Sequence, residues 1–402
     1  MKFDEIQFKG KKALVRADLN VPIKNGEITD NTRITACLPT VEKILQNGGA
    51  VILMSHLGRP QKKRKEDGSL DREQFTLRPV ADEIAKLTGK EVALAEDVAG
   101  EDSQKKAANL KAGSILVIEN TRFEEGESAG DKDLAKRMAD MADIYINDAF
   151  GTAHREHAST ATVARFFSRE NKAFGLLMDR ELREASRVSS DPNRPYTVIL
   201  GGAKVSDKIQ LIENLLPRAN NLLIGGGMAY TFLKAKGGRI GKSILEEDQI
   251  PLVKRIMEKA KESGVNIHLP IDVTAASEFS ENAQVKALPA GEIEDGFMGL
   301  DIGPKTVKSF SGVISDSKTI FWNGPMGVFE MKPFASGTIE VAKAIGEATK
   351  NGAYSLIGGG DSVAAVIQFG MENKMSFLST GGGAMLTLLE GSELPAIKAM
   401  GG

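Results

Sequence analysis

Short runs of aliphatic and β-branched residues recur along the chain and alternate with stretches of helical character. Runs of this length and composition are typical of strands that are buried on both faces of a sheet. Such strands, when they alternate with helices, predict parallel sheets covered by helices on both sides. The predicted strands are Ala13–Val15, Ala50–Met54, Ser114–Ile118, Ile144–Ile146, Thr197–Leu200, Asn221–Ile224, Ile267–Leu269, Thr319–Trp322, Tyr354–Ile357 and Ser376–Leu378. The predicted helices include Leu77–Thr88, Asp133–Met141, Lys204–Leu216, Gln249–Ser263 and Ser336–Thr349.

The length of 402 residues exceeds what one hydrophobic core usually holds, which favours two domains. The net charge of −2 favours neither a nucleic acid nor an anionic membrane as a partner. The single cysteine, Cys37, excludes an internal disulfide and is typical of a reducing cytosol. Four histidines and one cysteine do not favour a Cys/His zinc site. We find no apolar signal-peptide core and no run long enough to span a membrane.

The residues that follow the predicted strands differ between the two halves of the chain. Ligands of parallel sheets bind beyond the carboxyl ends of the strands, so these residues are candidates for binding. In the first half they are basic and polar: Arg16–Asn20, Ser55–Arg59 and Glu119–Arg122. In the second half they are glycine clusters: Gly201-Gly202, Gly225–Gly227, Gly358–Gly360 and Gly381–Gly383. The contrast indicates two domains with two different ligands, connected by a helix and a turn-rich hinge near residues 171–191.

Glycine clusters between a strand and a helix expose the first N–H groups of the helix, which favour a phosphate. Lys204 and Lys208 are four residues apart, which predicts one face of a helix start, where an anion would balance them. Two solvated lysines are the alternative. Asp361 is either a helix N-cap or a ligand of Mg²⁺ beside a nucleotide. The Gly-x-Gly-x-x-Gly pattern is incomplete, because Tyr230, Val363 and Leu386 stand where it requires glycine.

Arginine side chains bind carboxylate and phosphate through two parallel hydrogen bonds. Each arginine alone could be a surface ion pair, but their common placement favours a small polyanion. The spacing of His154 and His157 resembles a metal pair, but no third ligand is evident. A polyphosphate on one domain and a small anion on the other indicate phosphoryl transfer. The basic and histidine residues of this group are Arg16, Arg33, His56, Arg59, Arg122, His154, Arg155 and His157.

Several motifs, in order along nearly the whole chain, resemble those of the phosphoglycerate kinase family. Those of the first half are Ala13–Pro22, Asp30–Ile34, Ser55–Pro60 and Ala153–Ser159. Those of the second half are Gly201–Lys208, Gly225–Ala229, Trp322–Glu330, Gly358–Ser362 and Ser379–Ala384. The departures from the family pattern are small: Ser362 stands where many relatives have threonine, and residues 61–72 form a variable loop.

The resemblance implies an α/β fold with two Rossmann-like domains, whose parallel sheets are joined by a hinge helix. It implies a 3-phosphoglycerate domain over residues 1–170, a helix and hinge over 171–190, a nucleotide domain over 191–385 and a returning tail over 386–402. The implied reaction is reversible transfer between ATP and the carboxylate of 3-phosphoglycerate, in glycolysis and gluconeogenesis, with Mg²⁺ as cofactor. The family also implies a cytoplasmic monomer that works by hinge bending.

By matched position, the resemblance implies three groups of site residues. The substrate-binding group is Asp18, Leu19, Asn20, Arg33, His56, Leu57, Gly58, Arg59, Arg122 and Arg155. The nucleotide-binding group is Gly202, Lys204, Lys208, Gly226, Gly299, Leu300, Asn323, Pro325, Glu330, Gly359, Gly360, Asp361 and Ser362, with Asp361 also at the metal. The catalytic group is Arg33, Lys204, Gly360 and Gly383.

Two other functions remain as alternatives from the residues themselves. One is an NAD-dependent oxidoreductase on a similar two-domain scaffold, which the incomplete glycine fingerprints disfavour. The other is a two-lobed protein that binds anionic metabolites without catalysis, which the Lys204 and Lys208 pair disfavours. A carboxylate nucleophile is already ionised at pH 7, so the kinase needs no general base, and we identify no obvious one.

Overall fold

Alternating strands and helices build two large parallel sheets in the computed structural model, which describes residues 2–401. The strands of the first half are β1 Lys12–Ala17, β2 Ile23–Lys24, β3 Glu27–Ile28, β4 Ala50–Met54, β5 Val92–Leu94, β6 Ile115–Val117, β7 Ile144–Asp148 and β8 Lys172–Phe174. Strands β2 and β3 form a separate antiparallel pair, and the other six form one of the large sheets. The second half has β9 Tyr196–Leu200, β10 Asn221–Ile224, β11 Arg239–Ile240, β12 Asn266–His268, β13 Asp272–Ala276, β14 Val285–Pro289, β15 Glu292–Ile293, β16 Met298–Ile302, β17 Thr319–Asn323, β18 Tyr354–Gly358 and β19 Phe377–Leu378.

The helices connect the strands and cover the sheets. Those of the first half are α1 Thr32–Gln46, α2 Arg72–Phe75, α3 Arg78–Thr88, α4 Glu101–Ala108, α5 Gly126–Ala129, α6 Lys132–Ala139 and α7 Leu176–Ser189. Those of the second half are α8 Ile209–Leu215, α9 Met228–Ala235, α10 Ile250–Glu262, α11 Pro304–Ser315, α12 Ser336–Lys350, α13 Gly360–Gln368, α14 Gly383–Leu389 and α15 Pro395–Met400.

The chain divides into two compact units, and each contains one of the large sheets. The first unit ends at Leu182 and takes up the chain again at Glu393, whereas the second comprises Arg183–Ser392. Helix α7 contains the boundary. The C-terminal helix α15 belongs to the first unit, where Ala396 donates its N–H to the carbonyl oxygen of Ala153 at 3.1 Å.

In the first unit the strand order is β5-β6-β4-β1-β7-β8, and every pair is parallel. The central strands β4 and β7 are buried along their whole length, since helices cover both faces. The chain builds outward from β1 in one direction and then returns to add β7 on the other side. Such a reversal creates a crevice beyond the carboxyl ends of the strands.

In the second unit the order is β12-β10-β9-β17-β18-β19, again all parallel, and the reversal lies between β9 and β17. A smaller antiparallel sheet, β14-β13-β16, adds a second layer. At the reversal, Gly201 and Gly324 approach so closely that a Cβ on Gly324 would lie 2.3 Å from the Gly201 carbonyl oxygen. Gly324 also has a φ of +91°, so the crossing requires glycine.

The parallel sheets and the fold class predicted from the sequence are therefore confirmed. Two predicted boundaries are wrong. Residues 172–174 of the expected connecting helix form β8, the edge strand of the first sheet, and the helix begins at Leu176. Lys204 lies outside any helix, because the chain after Gly201-Gly202 makes a 3₁₀ turn at Ser206–Lys208 before α8 begins.

Candidate active site

Side chains from four strand-to-helix connections of the first unit form a basic cluster beyond the carboxyl ends of β1, β4, β6 and β7. Arg33, on the first turn of α1, donates to Asp18 Oδ2 at 2.9 Å. The Arg33 side chain remains 40% exposed, whereas that of Asp18 is 11% exposed. The ion pair therefore orients Arg33 without burying its guanidinium, which is left accessible to an anion.

The loop after β4 is held from two sides by amide side chains. Asn20 Oδ1 accepts the N–H of Gly58 at 2.8 Å. Asn120, which is fully buried, accepts the N–H of Leu57 at 3.2 Å and donates to the Leu57 carbonyl at 2.8 Å. Gly58 has a φ of +60°, and a Cβ there would lie 2.5 Å from the ring of Phe75. The loop is thus fixed at both of its central residues.

His56, at the start of this loop, is 5% exposed and faces several arginines. Its Nδ1 lies 3.3 Å from Nη2 of Arg16, which is fully buried at the end of β1. Burial lowers the pKa of His56 well below its ordinary value, and Arg16, Arg122, Arg155 and Arg33 lower it further. His56 is therefore a neutral imidazole at pH 7, which suits hydrogen bonding rather than charge pairing.

Arg122 and Arg155 carry the strongest signs of mutual repulsion. Burial lowers the pKa of Arg122 to about 10, with Arg155 and Arg16 contributing. Burial also lowers the pKa of Arg155, and Arg59 adds to the effect. Crowded guanidinium groups raise the free energy of the empty site, so a bound polyanion would relieve the repulsion.

The predicted substrate residues come together in this cluster, but they differ in what they can offer a ligand. Leu19 and Leu57 have buried side chains, and their N–H groups already bind Ser55 Oγ and Asn120 Oδ1. Arg59, in contrast, is exposed, and its side chain forms no ion pair among the described residues. The side chains that can donate to an anion are therefore those of the arginines and His56, whereas Asp18 and Asn20 add oxygen acceptors suited to a hydroxyl of the ligand.

The second unit contains a cavity of about 450 Å³ beyond the carboxyl ends of β9, β10 and β17. Its wall includes glycine backbone and apolar side chains. This combination suits the binding of a flat aromatic base and a sugar. The predicted nucleotide-binding residues that line the cavity are Gly202, Gly226, Gly299, Leu300, Pro325, Glu330 and Asp361.

Other predicted nucleotide residues lie outside the cavity wall. Asn323 is 2% exposed and donates to the Gly358 carbonyl at 2.6 Å, while its Oδ1 is buried without a partner among the described residues. The fully buried Ser362 accepts the N–H of Gly324 at 2.6 Å, so its hydroxyl holds the crossing of the strands. The remaining predicted residues outside the wall are Lys204, Lys208, Gly359 and Gly360.

Glu246 occupies the backbone donors that the glycine-rich loop after β9 was expected to offer to phosphate. Its Oε2 accepts the N–H groups of Val205 at 2.6 Å and Ser206 at 3.1 Å. The expectation that Lys204 and Lys208 share a helix face is wrong, since Lys204 precedes the 3₁₀ turn. Lys204 is exposed and has no ion pair among residues 2–401, so it is available to a polyphosphate.

The sequence reasoning missed several residues that line the cavity. Lys242 adds a cation to the wall, and Ile244 and Phe279 add apolar surface although they are 44% and 60% exposed. These residues lie in loops before and within the antiparallel layer, away from the glycine clusters. Exposed apolar side chains beside a cavity are the signal that could have found them, but it becomes visible only once burial is known.

Asp361, which the sequence analysis predicted to hold Mg²⁺, lies on the first turn of α13 and lines the cavity. Within the described residues, no group of three or more His, Cys, Asp or Glu side chains is arranged to hold a metal. No helix in residues 2–401 combines the length and apolarity needed to cross a bilayer.

Comparisons with known proteins find similarity along nearly the whole chain. The family model described as "Phosphoglycerate kinase" matches residues 3–392. The chain is 49% identical over 397 residues to a phosphoglycerate kinase of Thermosipho africanus, covering 98% of this chain and 96% of that one. It is 48% identical over 426 residues to that of Porphyromonas gingivalis, covering both chains completely.

The fold is similar to two solved structures of the same description. Phosphoglycerate kinase from Coxiella burnetii superposes with a TM-score of 0.89 at 39% identity, covering 100% of this chain and 98% of that one. The protein from Pyrococcus horikoshii OT3 superposes with a TM-score of 0.82 at 29% identity, with the same coverage. Similarity therefore extends over both units.

Proposed function

The chain belongs to the phosphoglycerate kinase family, and from this premise we propose how its residues divide the work. The enzyme is a phosphotransferase with a carboxyl group as acceptor. Its reaction is reversible transfer between ATP and 3-phosphoglycerate, which gives ADP and 1,3-bisphosphoglycerate in glycolysis. Family membership speaks against both alternatives, the NAD-dependent oxidoreductase and the non-catalytic binding protein.

The assignment of 3-phosphoglycerate to the first unit rests on the imbalance of charge in the basic cluster. Five arginines each lower the pKa of another arginine or of His56. The carboxylates that act in the opposite direction are Asp18, which raises the pKa of Arg155, and Glu127, which raises that of Arg122. The remaining charge of about three positive matches a carboxylate and a phosphate ester, which together carry about three negative charges at pH 7. The arginines are Arg16, Arg33, Arg59, Arg122 and Arg155.

We assign the nucleotide to the cavity of the second unit. Gly299 and Leu300 would contact the base, and Glu330 would accept hydrogen bonds from the ribose hydroxyls. Asp361 would hold Mg²⁺, which neutralises charge on the phosphates when it is bound. Lys204 and Lys208 would reach the phosphates from the loop after β9. The half-buried Lys208 has a pKa lowered by burial, and nearby acidic groups that include Asp361 partly offset this.

Catalysis, in this proposal, is positioning and charge stabilisation without a covalent intermediate. The ionised carboxylate of the substrate attacks the γ-phosphorus, and the bond to the β–γ bridging oxygen breaks, which leaves ADP. Arg33 and Lys204 would bind the equatorial oxygens of the moving group when the two units close. Gly360 and Gly383 open α13 and α14, so their N–H groups lack acceptors within those helices and can add donors. Closure would also exclude water from the acyl phosphate.

The cellular setting is part of the same proposal. The single free cysteine, Cys37, supports a cytoplasmic location, and the net charge of −2 supports the absence of nucleic-acid and anionic-membrane partners. The monomeric state is proposed from family membership.

The roles of Arg33 and Lys204 are tested by alanine substitution with a coupled assay of ADP formation. We expect Arg33→Ala and Lys204→Ala each to lower kcat about a hundredfold at saturating substrates, because each removes a cation that acts mainly in the transition state. The exposed Arg169→Ala and Lys236→Ala serve as matched controls and should leave kcat unchanged. A folded Arg33→Ala or Lys204→Ala variant with normal kcat would refute the corresponding role.

A further inference from the structure

Behind His56 lies a continuous chain of buried polar side chains. Glu127, which is 1% exposed, accepts the hydroxyl of Ser159 at 2.6 Å and the Ser159 N–H at 3.0 Å. The Ser159 Oγ accepts the Nε–H of Arg16 at 2.8 Å. Arg16 in turn places Nη2 3.3 Å from Nδ1 of His56. We refer to Glu127, Ser159 and Arg16 as the relay.

The chemistry of these groups fixes the direction of every hydrogen bond in the relay. A guanidinium can only donate, so Nδ1 of His56 must accept and its proton must be on Nε2. The single hydroxyl proton of Ser159 goes to the carboxylate of Glu127, which leaves an oxygen lone pair for Arg16. No link can reverse while Glu127 is ionised and Arg16 is charged.

The relay is built into a rigid part of the first unit. Ser159 lies in a single π-helical turn, Ala158–Thr162, and such turns occur frequently at functional sites. The hydroxyl of Tyr145 lies 3.1 Å from the carbonyl oxygens of both Ser159 and Thr160, which holds the turn on strand β7. Arg16, Ser159 and Tyr145 are fully buried, so water does not compete for these bonds.

We propose that Glu127, Ser159 and Arg16 are positioning residues that hold His56 as the neutral tautomer with its proton on Nε2. His56 then presents an N–H donor to the anionic ligand of the basic cluster. The inference rests on the proposed function, since it takes that ligand to be a carboxylate or phosphate group of 3-phosphoglycerate. This role explains why His56 lies among the arginines of the basic cluster: a neutral imidazole contributes a directional N–H donor without adding positive charge.

The charged groups around His56 maintain this state. Burial lowers the pKa of His56, and Arg16, Arg122, Arg155 and Arg33 lower it further, so all of them disfavour a positive charge on the ring. Glu127 is the carboxylate on the other side of the relay, and Asp18 pairs with Arg33. His157 Nδ1 is 3.9 Å from Glu127, but burial lowers its pKa to about 4, so it too is neutral at pH 7.

Nitrogen-15 NMR of the histidine rings tests the tautomer directly. The chain has four histidines, so comparison with His56→Gln assigns the His56 signals. We expect the wild-type protein to show an unprotonated Nδ1 and a protonated Nε2 that do not change between pH 5.5 and pH 8. A proton on Nδ1, or a doubly protonated ring within this range, would overturn the proposal.

Ser159→Ala tests the relay, because it removes the acceptor of the Arg16 Nε–H and leaves the guanidinium free to move away from His56. We expect mixed tautomers at His56 and a KM for 3-phosphoglycerate about tenfold higher, with kcat and the KM for nucleotide unchanged. Thr160→Ala is the matched control, since this buried neighbour on the same turn has a hydroxyl without a partner among the described residues. An unaltered His56 spectrum in folded Ser159→Ala would refute the relay.

Glu127→Gln provides a second test that retains side-chain shape. It removes the negative charge that balances the buried guanidinium of Arg16, so we expect Arg16 to be held less firmly against His56 and His56 to lose its single tautomer here as well. The NMR signals of His56 also distinguish a failure of the substrate assignment from a failure of the relay. If 3-phosphoglycerate leaves the His56 signals of the wild-type protein unchanged, the substrate assignment is wrong. If the ligand shifts them but the tautomer is independent of Ser159 and Glu127, only the relay is wrong.

Discussion

Asn120 shows how much of the basic cluster depends on a residue that no ligand is proposed to touch. Its side chain donates to the carbonyl oxygens of Leu57 at 2.8 Å and Phe75 at 2.9 Å. Its Oδ1 accepts the N–H groups of Leu57 at 3.2 Å and Arg122 at 3.1 Å. One buried amide thus joins the loop that follows β4 to the turn that carries Arg122.

We expect Asn120→Ala to destabilise the first unit by about 3 kcal/mol, because it leaves several buried backbone groups without partners. We also expect the KM for 3-phosphoglycerate to rise at least tenfold, as His56, Arg59 and Arg122 lose their common support. Thermal melting and steady-state kinetics measure the two effects. Asn109→Ala, at an exposed site that binds the Lys105 carbonyl, should change neither. A normal KM in Asn120→Ala would show that these loops need no such support.

Some individual functional residues could be recognised from the sequence, whereas the residues that support them could not. Arginines after strands could be recognised from chemistry alone, because few other roles need so many guanidinium groups at strand ends. The residues that support these arginines could not be recognised in the same way. Asn120 and Ser159 resemble ordinary polar residues in sequence, and their role depends on long-range contacts, such as the 143-residue separation between Arg16 and Ser159. Ser362 and Asn323 were assigned to the nucleotide, but the structure shows that both also bind the backbone.

At the scale of elements, the start of helix α7 depends on two buried side chains. Thr40, in α1, accepts the N–H of Leu176 at 2.9 Å, and Asp148, at the end of β7, accepts the N–H of Met178 at 3.0 Å. Gly175 precedes the helix, and a Cβ there would lie 2.3 Å from Asp148 Cγ. Helix α7 therefore begins where the helix that bears Arg33 and the central sheet meet.

Asp148 predicts a pH dependence of stability. Burial raises its pKa from an ordinary 3.8 to about 6, so the folded state binds this proton more tightly than the unfolded state does. The resulting stabilisation is complete below about pH 4 and is lost as the pH rises through about 6. Asparagine keeps an acceptor for Met178 but does not titrate. We expect Asp148→Asn to gain about 3 kcal/mol relative to wild type between pH 4 and pH 7.5.

Chemical unfolding of both proteins across this pH range measures the difference. Histidines that titrate in the same range contribute equally to both proteins, so the comparison isolates Asp148. The exposed Asp133→Asn is the control and should differ from wild type by a constant amount. A constant difference for Asp148→Asn would mean that its carboxyl is not perturbed by burial.

Most of the strands predicted from the sequence are buried, although the edge strand β12 is not. All ten predicted apolar runs are strands of the two parallel sheets, because strands covered on both faces must be apolar throughout. The edge strands β5 and β8 were not predicted, because each has only three residues and both are only partly buried. The antiparallel β14 alternates between exposed and half-buried residues, and its pairing with β13 could not be seen from its composition.

At the scale of the whole molecule, each unit has its own sheet and its own candidate ligand site. The proposed reaction requires the ligands of both sites to meet, and α7 is the helix that contains the boundary between the units. A ligand at one site alone can stabilise only the contacts of its own unit. In the proposed mechanism, closure would add contacts only when both ligands are bound, so we expect a response of α7 that neither ligand produces by itself.

Hydrogen exchange with 3-phosphoglycerate and ADP–Mg²⁺ tests this expectation, since the pair cannot react without a transferable phosphoryl group. We expect 3-phosphoglycerate alone to slow exchange at residues 55–59 and 120–123, and ADP–Mg²⁺ alone to slow it at 201–208 and 358–362. Together they should slow exchange in Leu176–Ser189 by at least several-fold more than the two single effects combined. Helix α10, which carries no predicted site residue, is the internal control. Additive protection of α7 would show that the two sites act independently, and closure could then not be the step that brings Arg33 and Lys204 to the same phosphoryl group.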